Sequence, residues 1–282
     1  MGRPGLPERP TRADAGASPT AVAPLDRGQP ALIELAGVGK TFDGRTKVLD
    51  GIDLALPRGE LLALIGPSGC GKSTLLKLIA GLVRQSAGRI VVGGGAPAEA
   101  EGKLGFVFQD ANLLPWLNAL DNVALPLKLM GAPKAKRRQT AREMLDMVGL
   151  SRVPDHYPRE LSGGMRMRVS IARALATGPE ILLLDEPFGA LDEMTRNSLN
   201  EELLRLREQQ RWTAVFVTHS VSEAVFLSSR IAVLAANPGR VHTTKRIDLP
   251  FPRTARTREL PAFHALVAEV TRSLHNVPGQ TA

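Results

Sequence analysis

The chain has one cysteine, Cys70, in 282 residues. No intrachain disulfide can form, so a reducing compartment is expected. Aromatic residues make up 4% of the chain and there is a single tyrosine, too little stacking material for a groove that holds single-stranded nucleic acid. No apolar run approaches the ~20 residues needed to cross a bilayer. The first thirty positions are rich in Pro, Gly, Ala and Arg, without the apolar centre of a secretory signal. A cytoplasmic location is therefore expected, and any membrane role needs a partner that spans it. Internal repeats and long heptad runs are missing too. Charge of one sign is only mildly in excess, with Lys+Arg 36 against Asp+Glu 28. The surplus is scattered, apart from Lys134-Ala135-Lys136-Arg137-Arg138, which lies in a helix-like stretch and reads as a solvated face.

What the chain does have is the nonamer Gly66-Pro67-Ser68-Gly69-Cys70-Gly71-Lys72-Ser73-Thr74. It fits G-x-x-x-x-G-K-[ST], the phosphate-binding P-loop. The apolar run Leu61-Leu62-Ala63-Leu64-Ile65 precedes it as a buried strand. Leu75, Leu78, Ile79 and Leu82 follow at helical spacing, with Gly81 as the stop. Glycines at 66, 69 and 71 let successive N–H groups point into one concavity. The helix adds the positive end of its dipole. Lys72 can reach the β- and γ-phosphates, and Ser73 can offer its hydroxyl to Mg²⁺. With Cys70 inside the loop, a thiol reagent is expected to block activity and nucleotide to protect.

Around this loop the chain alternates strand and helix. Residues 1–30 form a proline-rich tail, expected to be disordered. Strands are predicted over 32–35 and 48–56, with Lys40-Thr41-Phe42 in a turn between them; Phe42 is ordinary packing or a ring that stacks on a base. Further short strands are predicted over 88–92 and 104–108. Residues 110–126 look irregular. Pro133 can open a helix that Gly149 stops, and Ser162-Gly163-Gly164 leads into another over 165–177. Buried strands follow at 181–184, 214–217 and 231–234, with a helix over 191–209 and a capping-box spacing at Ser220 and Glu223. The segment beyond Pro250 reads as a weakly helical tail. Strands alternating with helices imply an α/β fold with a parallel sheet.

In such sheets ligands sit beyond the carboxyl ends of the strands. The P-loop, Gln109, Asp185-Glu186 and His219 all fall there. Each alone has a dull explanation; together, their shared position is hard to put down to chance. Asp185 ends an apolar strand and should hold Mg²⁺ beside Ser73. Glu186 can act on an attacking water as general base or orienter. His219 can donate to the γ-phosphate and orient that water. The Gln109 amide can reach both Mg²⁺ and the water.

With these residues in place, the sequence resembles the ATP-binding subunits of ABC transporters. Leu161-Ser162-Gly163-Gly164-Met165 is similar to their signature motif, and Leu191-Asp192 to their D-loop. Gln109, His219 and Phe42 fall where the family has its Q-loop glutamine, switch histidine and base-stacking aromatic. Met165 departs from the commoner glutamine, so any side-chain bond from that position is lost. The resemblance covers about residues 32–249. It implies a RecA-like P-loop NTPase sheet with an antiparallel β edge. A nucleotide-binding core over 31–108 and 172–250 would carry an inserted helical subdomain over 109–171, and 251–282 would be a tail. It also implies ATP with Mg²⁺, and contacts to nucleotide from Gly66–Thr74, Ser162–Gly164 and Asp192. Lys72, Gln109, Glu186 and His219 would do the chemistry.

The family's mechanism needs two chains. The P-loop of one and the signature of the other sandwich each ATP, so a two-fold homodimer is implied. The helical subdomain would grip an integral membrane permease, served by an extracytoplasmic solute-binding protein, at the cytoplasmic face of the membrane. Phe108-Gln109-Asp110, Leu114-Pro115-Trp116, Met165-Arg166-Met167-Arg168 and Asn237-Pro238-Gly239-Arg240 are similar to importers of nitrate, sulfonates and taurine. The competing reading is a soluble ABC-type ATPase of DNA repair or translation. Those usually carry tandem domains, long coiled coils or zinc cysteines, none of them present here. A P-loop kinase or GTPase would leave the signature and His219 unexplained.

Overall fold

The structure is a computed structural model and describes residues 31–277 apart from residue 101. The proline-rich tail predicted over 1–30 lies outside the described residues. Two sheets share one helix between them. The first is antiparallel, in the order β2-β1-β4, formed by β1 (Ala31–Phe42), β2 (Thr46–Pro57) and β4 (Ala87–Val92). The second has the order β5-β6-β7-β3-β8-β9. Its strands are β3 (Leu61–Ile65), β5 (Leu104–Val107), β6 (Ile181–Asp185), β7 (Thr213–Val217), β8 (Arg230–Ala235) and β9 (Arg240–Arg246). All its pairings are parallel except β8 with β9.

The central strands are buried along their whole length, as continuous apolar runs in a covered parallel sheet must be. Their residues still alternate. Leu62, Leu64, Ile181, Leu183, Val215 and Val217 face one core, together with the apolar side of α1 (Lys72–Ile79) and the antiparallel sheet. Leu61, Ala63, Leu182, Leu184, Ala214 and Phe216 face the other. That side is covered by α2 (Ala119–Leu129), α3 (Lys134–Met147), α4 (Gly163–Leu175), α5 (Glu193–Gln210), α6 (Val221–Leu227) and α7 (Pro261–His275). The period of two thus divides one sheet between two cores.

Several elements differ from the sequence expectation. The stretch 110–126, expected to be irregular, enters α2, capped by Asn118, whose side chain accepts from the Asp121 N–H at 2.8 Å. Pro126 sits inside that helix and masks it in the sequence, because proline normally ends one. Lys40, Thr41 and Phe42 are the end of β1 rather than a turn. The signature helix starts at Gly163, two residues early, and α5 starts at Glu193 with Asp192 as its cap. Strand β9 has no counterpart in the sequence expectation; its row of charged and polar residues lacks a strand's apolar alternation. The segment after Pro250 is no loose tail. Phe263, Val270 and Val277 are buried in the core, and Arg253 is 3% exposed.

Candidate functional site

Strands β5, β6, β7 and β3 are successive neighbours, so whatever follows their carboxyl ends is brought to one edge. Gln109 follows β5, Asp185-Glu186 closes β6, Thr218-His219 follows β7, and the P-loop follows β3. The convergence read from sequence is thereby a fact of the topology.

The loop itself turns on Gly71, which has φ +95° and leads directly into α1. A Cβ there would stand 2.6 Å from the Leu49 side chain, so any larger residue would push the loop off β2. Lys72 is 6% exposed, and its ammonium donates to the carbonyls of Gly66 at 2.9 Å and Pro67 at 3.1 Å. The charge is held across the concavity that the backbone N–H groups surround. Cys70 corrects the sequence reading. Its thiol is fully buried in the core under the loop, and burial pushes its pKa up. The residue gives the loop its backbone, while its side chain packs in the core.

Ser73 Oγ donates to Asp185 Oδ1 at 2.8 Å. Two of the three residues expected to hold Mg²⁺, Ser73 and Asp185, are therefore in contact, and among the described residues no hydrogen bond joins Gln109 to them. Burial raises the Asp185 pKa, the Ser73 hydroxyl opposes that shift, and the charge of Glu186 adds to it. No group of three or more His, Cys, Asp or Glu among the described residues forms a metal cage. A hydroxyl with one carboxylate is the sparse, hard-oxygen set that suits Mg²⁺ sharing its shell with phosphates and water.

Glu186 has φ +45°, rare for a side chain of its kind and a strain of about 1–3 kcal/mol. Its N–H donates to the Val217 carbonyl at 3.0 Å, which fastens this turn to β7. Its Oε2 lies 3.4 Å from Nδ1 of His219. The acid and the histidine thus stand side by side at the sheet edge, both partly open to solvent. Gln109 is exposed on the next strand end.

Three further sets of expected ligands remain: the signature tripeptide, Asp192 and Phe42. Ser162 caps α4, accepting from the Met165 N–H at 3.2 Å, and the glycines after it lie against Leu191 and Thr195. Among the described residues no hydrogen bond joins Ser162, Gly163 or Gly164 to the P-loop, and the nearest neighbours of the two glycines come from the segment after β6. Asp192 spends its carboxylate capping α5, accepting from the Thr195 N–H at 3.0 Å, which lowers its pKa. Phe42 is 40% exposed on the antiparallel sheet, with the Lys40 ammonium 4.8 Å from its ring centre.

Sequence reasoning misses the support behind His219. Thr218 donates its hydroxyl to the Glu223 carboxylate and accepts the Ser220 N–H at 2.9 Å. The capping-box spacing points at Glu223. However, only Ser220 caps, accepting from the Glu223 N–H at 3.3 Å, while the Glu223 carboxylate turns inward.

Comparison with known proteins gives the family. A family model described as ABC transporter matches residues 49–189. An ABC transporter ATP-binding protein of Methanocaldococcus jannaschii is 45% identical over 232 residues, covering 82% of this chain and 87% of the relative. An aliphatic sulfonates import ATP-binding protein of Bacillus cereus is 45% identical over 226 residues, covering 79% and 88%. Among solved structures, the ATP-binding cassette MJ0796, a dimer bound to ADP and Pi after hydrolysis, is 36% identical. It superposes with a TM-score of 0.69 over 77% of this chain and 100% of that one. The cbiO1 protein of Clostridium perfringens, at 24% identity and a TM-score of 0.71, covers 88% and 97% and speaks for the fold alone.

Proposed function

The chain belongs to the ABC transporter ATP-binding family, and on that premise we propose that it is the ATP-hydrolysing subunit of an importer, working in pairs on a separate permease. The observation that carries this reading is the meeting of Ser73 with Asp185 beside Glu186 and His219. A phosphate in the P-loop would have its terminal oxygens facing that group. Lys72 and the loop N–H groups would bind the phosphates. Ser73, Asp185 and the amide of Gln109 would hold Mg²⁺, which would supply positive charge to the phosphates. Glu186 would take the proton of the attacking water, and His219 would orient the γ-phosphate.

That no hydrogen bond joins signature and P-loop among the described residues supports a head-to-tail pair, in which Ser162, Gly163 and Gly164 of each copy close the other's site. Asp192 would line that contact through the turn it caps, and Phe42 would receive the base. Helices α2, α3 and α4 pack on one another and would form the subdomain that takes the permease. No helix of the described residues is long and apolar enough to cross a membrane, so the chain would sit at the cytoplasmic membrane face through that partner. The relatives named for import favour a small organic sulfonate as the solute, delivered to the permease by an extracytoplasmic binding protein. Nitrate and taurine are the neighbouring candidates. They leave a role in DNA repair or translation without support.

Glu186→Gln tests the core of this. The variant should bind ATP normally, lose at least about a hundredfold in turnover, and elute as a dimer with ATP during gel filtration. Turnover near the wild-type rate would reject the general base, and a strictly monomeric ATP-loaded variant would reject the pair.

A further inference from the structure

Helix α6 carries His219 at its leading end and has only seven residues. A helix so short does not hold itself in water. Two buried polar side chains grip it instead, one at each end.

At the leading end, Glu223 is 7% exposed. It receives the Thr218 hydroxyl, which in turn takes the Ser220 N–H at 2.9 Å. The backbone on both sides of His219 is thereby tied into one closed set of bonds. At the trailing end, Arg253 sends Nη1 to the carbonyls of Val225, Phe226 and Ser228, each at 2.9 Å, and Nη2 to that of Leu249 at 3.0 Å. Two of these are carbonyls that the last turn of α6 leaves without a helical partner. A cation there also complements the negative end of the helix dipole. Burial draws the guanidinium pKa down to about 10, still above neutral, so Arg253 remains charged. Arg258 from the same C-terminal segment lies 3.5 Å over the Phe226 ring and bonds Glu201 of α5 at 3.0 Å.

Burying a guanidinium strips it of hydration, and an apolar side chain could fill the same volume. An apolar filling would not bond the carbonyls that fix the direction of α6. We propose that Arg253 and Glu223 are positioning residues for His219, setting from the two ends of α6 where its imidazole stands at the sheet edge. The inference rests on the reading of His219 as the residue that orients the γ-phosphate. It makes the segment beyond Pro250, outside the stretch matched by the family model, a working part of the ATPase.

The test uses the full chain and a double-mutant cycle. Arg253→Gln, Arg253→Lys and Glu223→Leu are each made alone and combined with His219→Ala, and kcat and KM for ATP are measured beside thermal melts. Arg253→Gln should lower kcat about tenfold with KM changed less than about twofold, since a misplacement of about 1 Å is enough for such a loss. Arg253→Lys should recover part of it. In the His219→Ala background the further loss should vanish, because the two residues act through one imidazole. A folded Arg253→Gln chain with wild-type kcat would overturn the proposal, and so would an equal fold-loss in both backgrounds. Should Arg253→Gln not fold, Glu223→Leu, which removes the acceptor of the Thr218 hydroxyl, takes its place in the cycle, and the same two results would overturn the proposal there. Wild-type turnover in His219→Ala alone would instead strike the role of the histidine itself.

Discussion

Chemical identity at single positions is legible where a side chain's task is imposed by phosphate or water. Lys72, Ser73, Asp185, Glu186 and His219 each follow from residue type and place. Burial is not legible, and Cys70 shows why. Nothing in Gly-Cys-Gly tells whether the thiol points to the ligand or to the core. The structure turns it inward and raises its pKa through burial. Maleimide should therefore label the native chain slowly, at a rate unchanged by ATP, and quickly after denaturation. Rapid native labelling that ATP blocks would contradict this. Glu223 carries a second residue-scale consequence. Burial raises its pKa above the ordinary 4.5, against the bond from Thr218. The folded state then holds a proton that the unfolded state has released. That contribution is complete below 4.5 and is lost as pH rises through the raised value. Glu223→Gln cannot ionise, so its melting temperature should gain on wild type from pH 4.5 towards neutrality. Parallel curves for the two proteins would show that Glu223 does not titrate in this window.

Elements read well where one signal rules and badly where two compete. The central strands β3, β6 and β7 are unbroken apolar runs, and their expected limits fall within a residue or so of the observed ones. Helix α2 is lost to sequence reasoning because Pro126 outweighs the Asn118 cap and the apolar residues between them. That cap can be weighed directly. Asn118→Ala should cost about 1 kcal/mol and lower the melting temperature by about 2–4 °C, with ATP turnover per folded chain unchanged. A melt superposable on wild type would mean that the contacts of α2 with α3 and α4 suffice to hold its first turn. Strand β9 has no apolar alternation to announce it. It is set by backbone pairing with β8 and by Lys245 meeting Glu269 of α7, partners that a single sequence does not juxtapose.

For the whole molecule, the class of fold follows from alternating strands and helices, but the closure of the C-terminal segment over α6 does not. Arg253 finds the carbonyls of α6 25 or more residues upstream, and no local pattern encodes that meeting. That no bond joins the Ser162 tip to the P-loop among the described residues has a consequence of another kind. If each working site is assembled from two copies, two differently damaged chains can repair one another. A chain with Lys72→Ala keeps a sound Ser162-Gly163-Gly164 tip, and a chain with Ser162→Arg keeps a sound P-loop. Each alone should be nearly silent. Mixed in equal amounts, about half of the pairs are hybrids, and each hybrid holds one intact site built from the good half of either parent. The mixture should regain hydrolysis that neither parent shows, and should lose it again on dilution. Continued silence of the mixture would mean that every site is completed within a single chain.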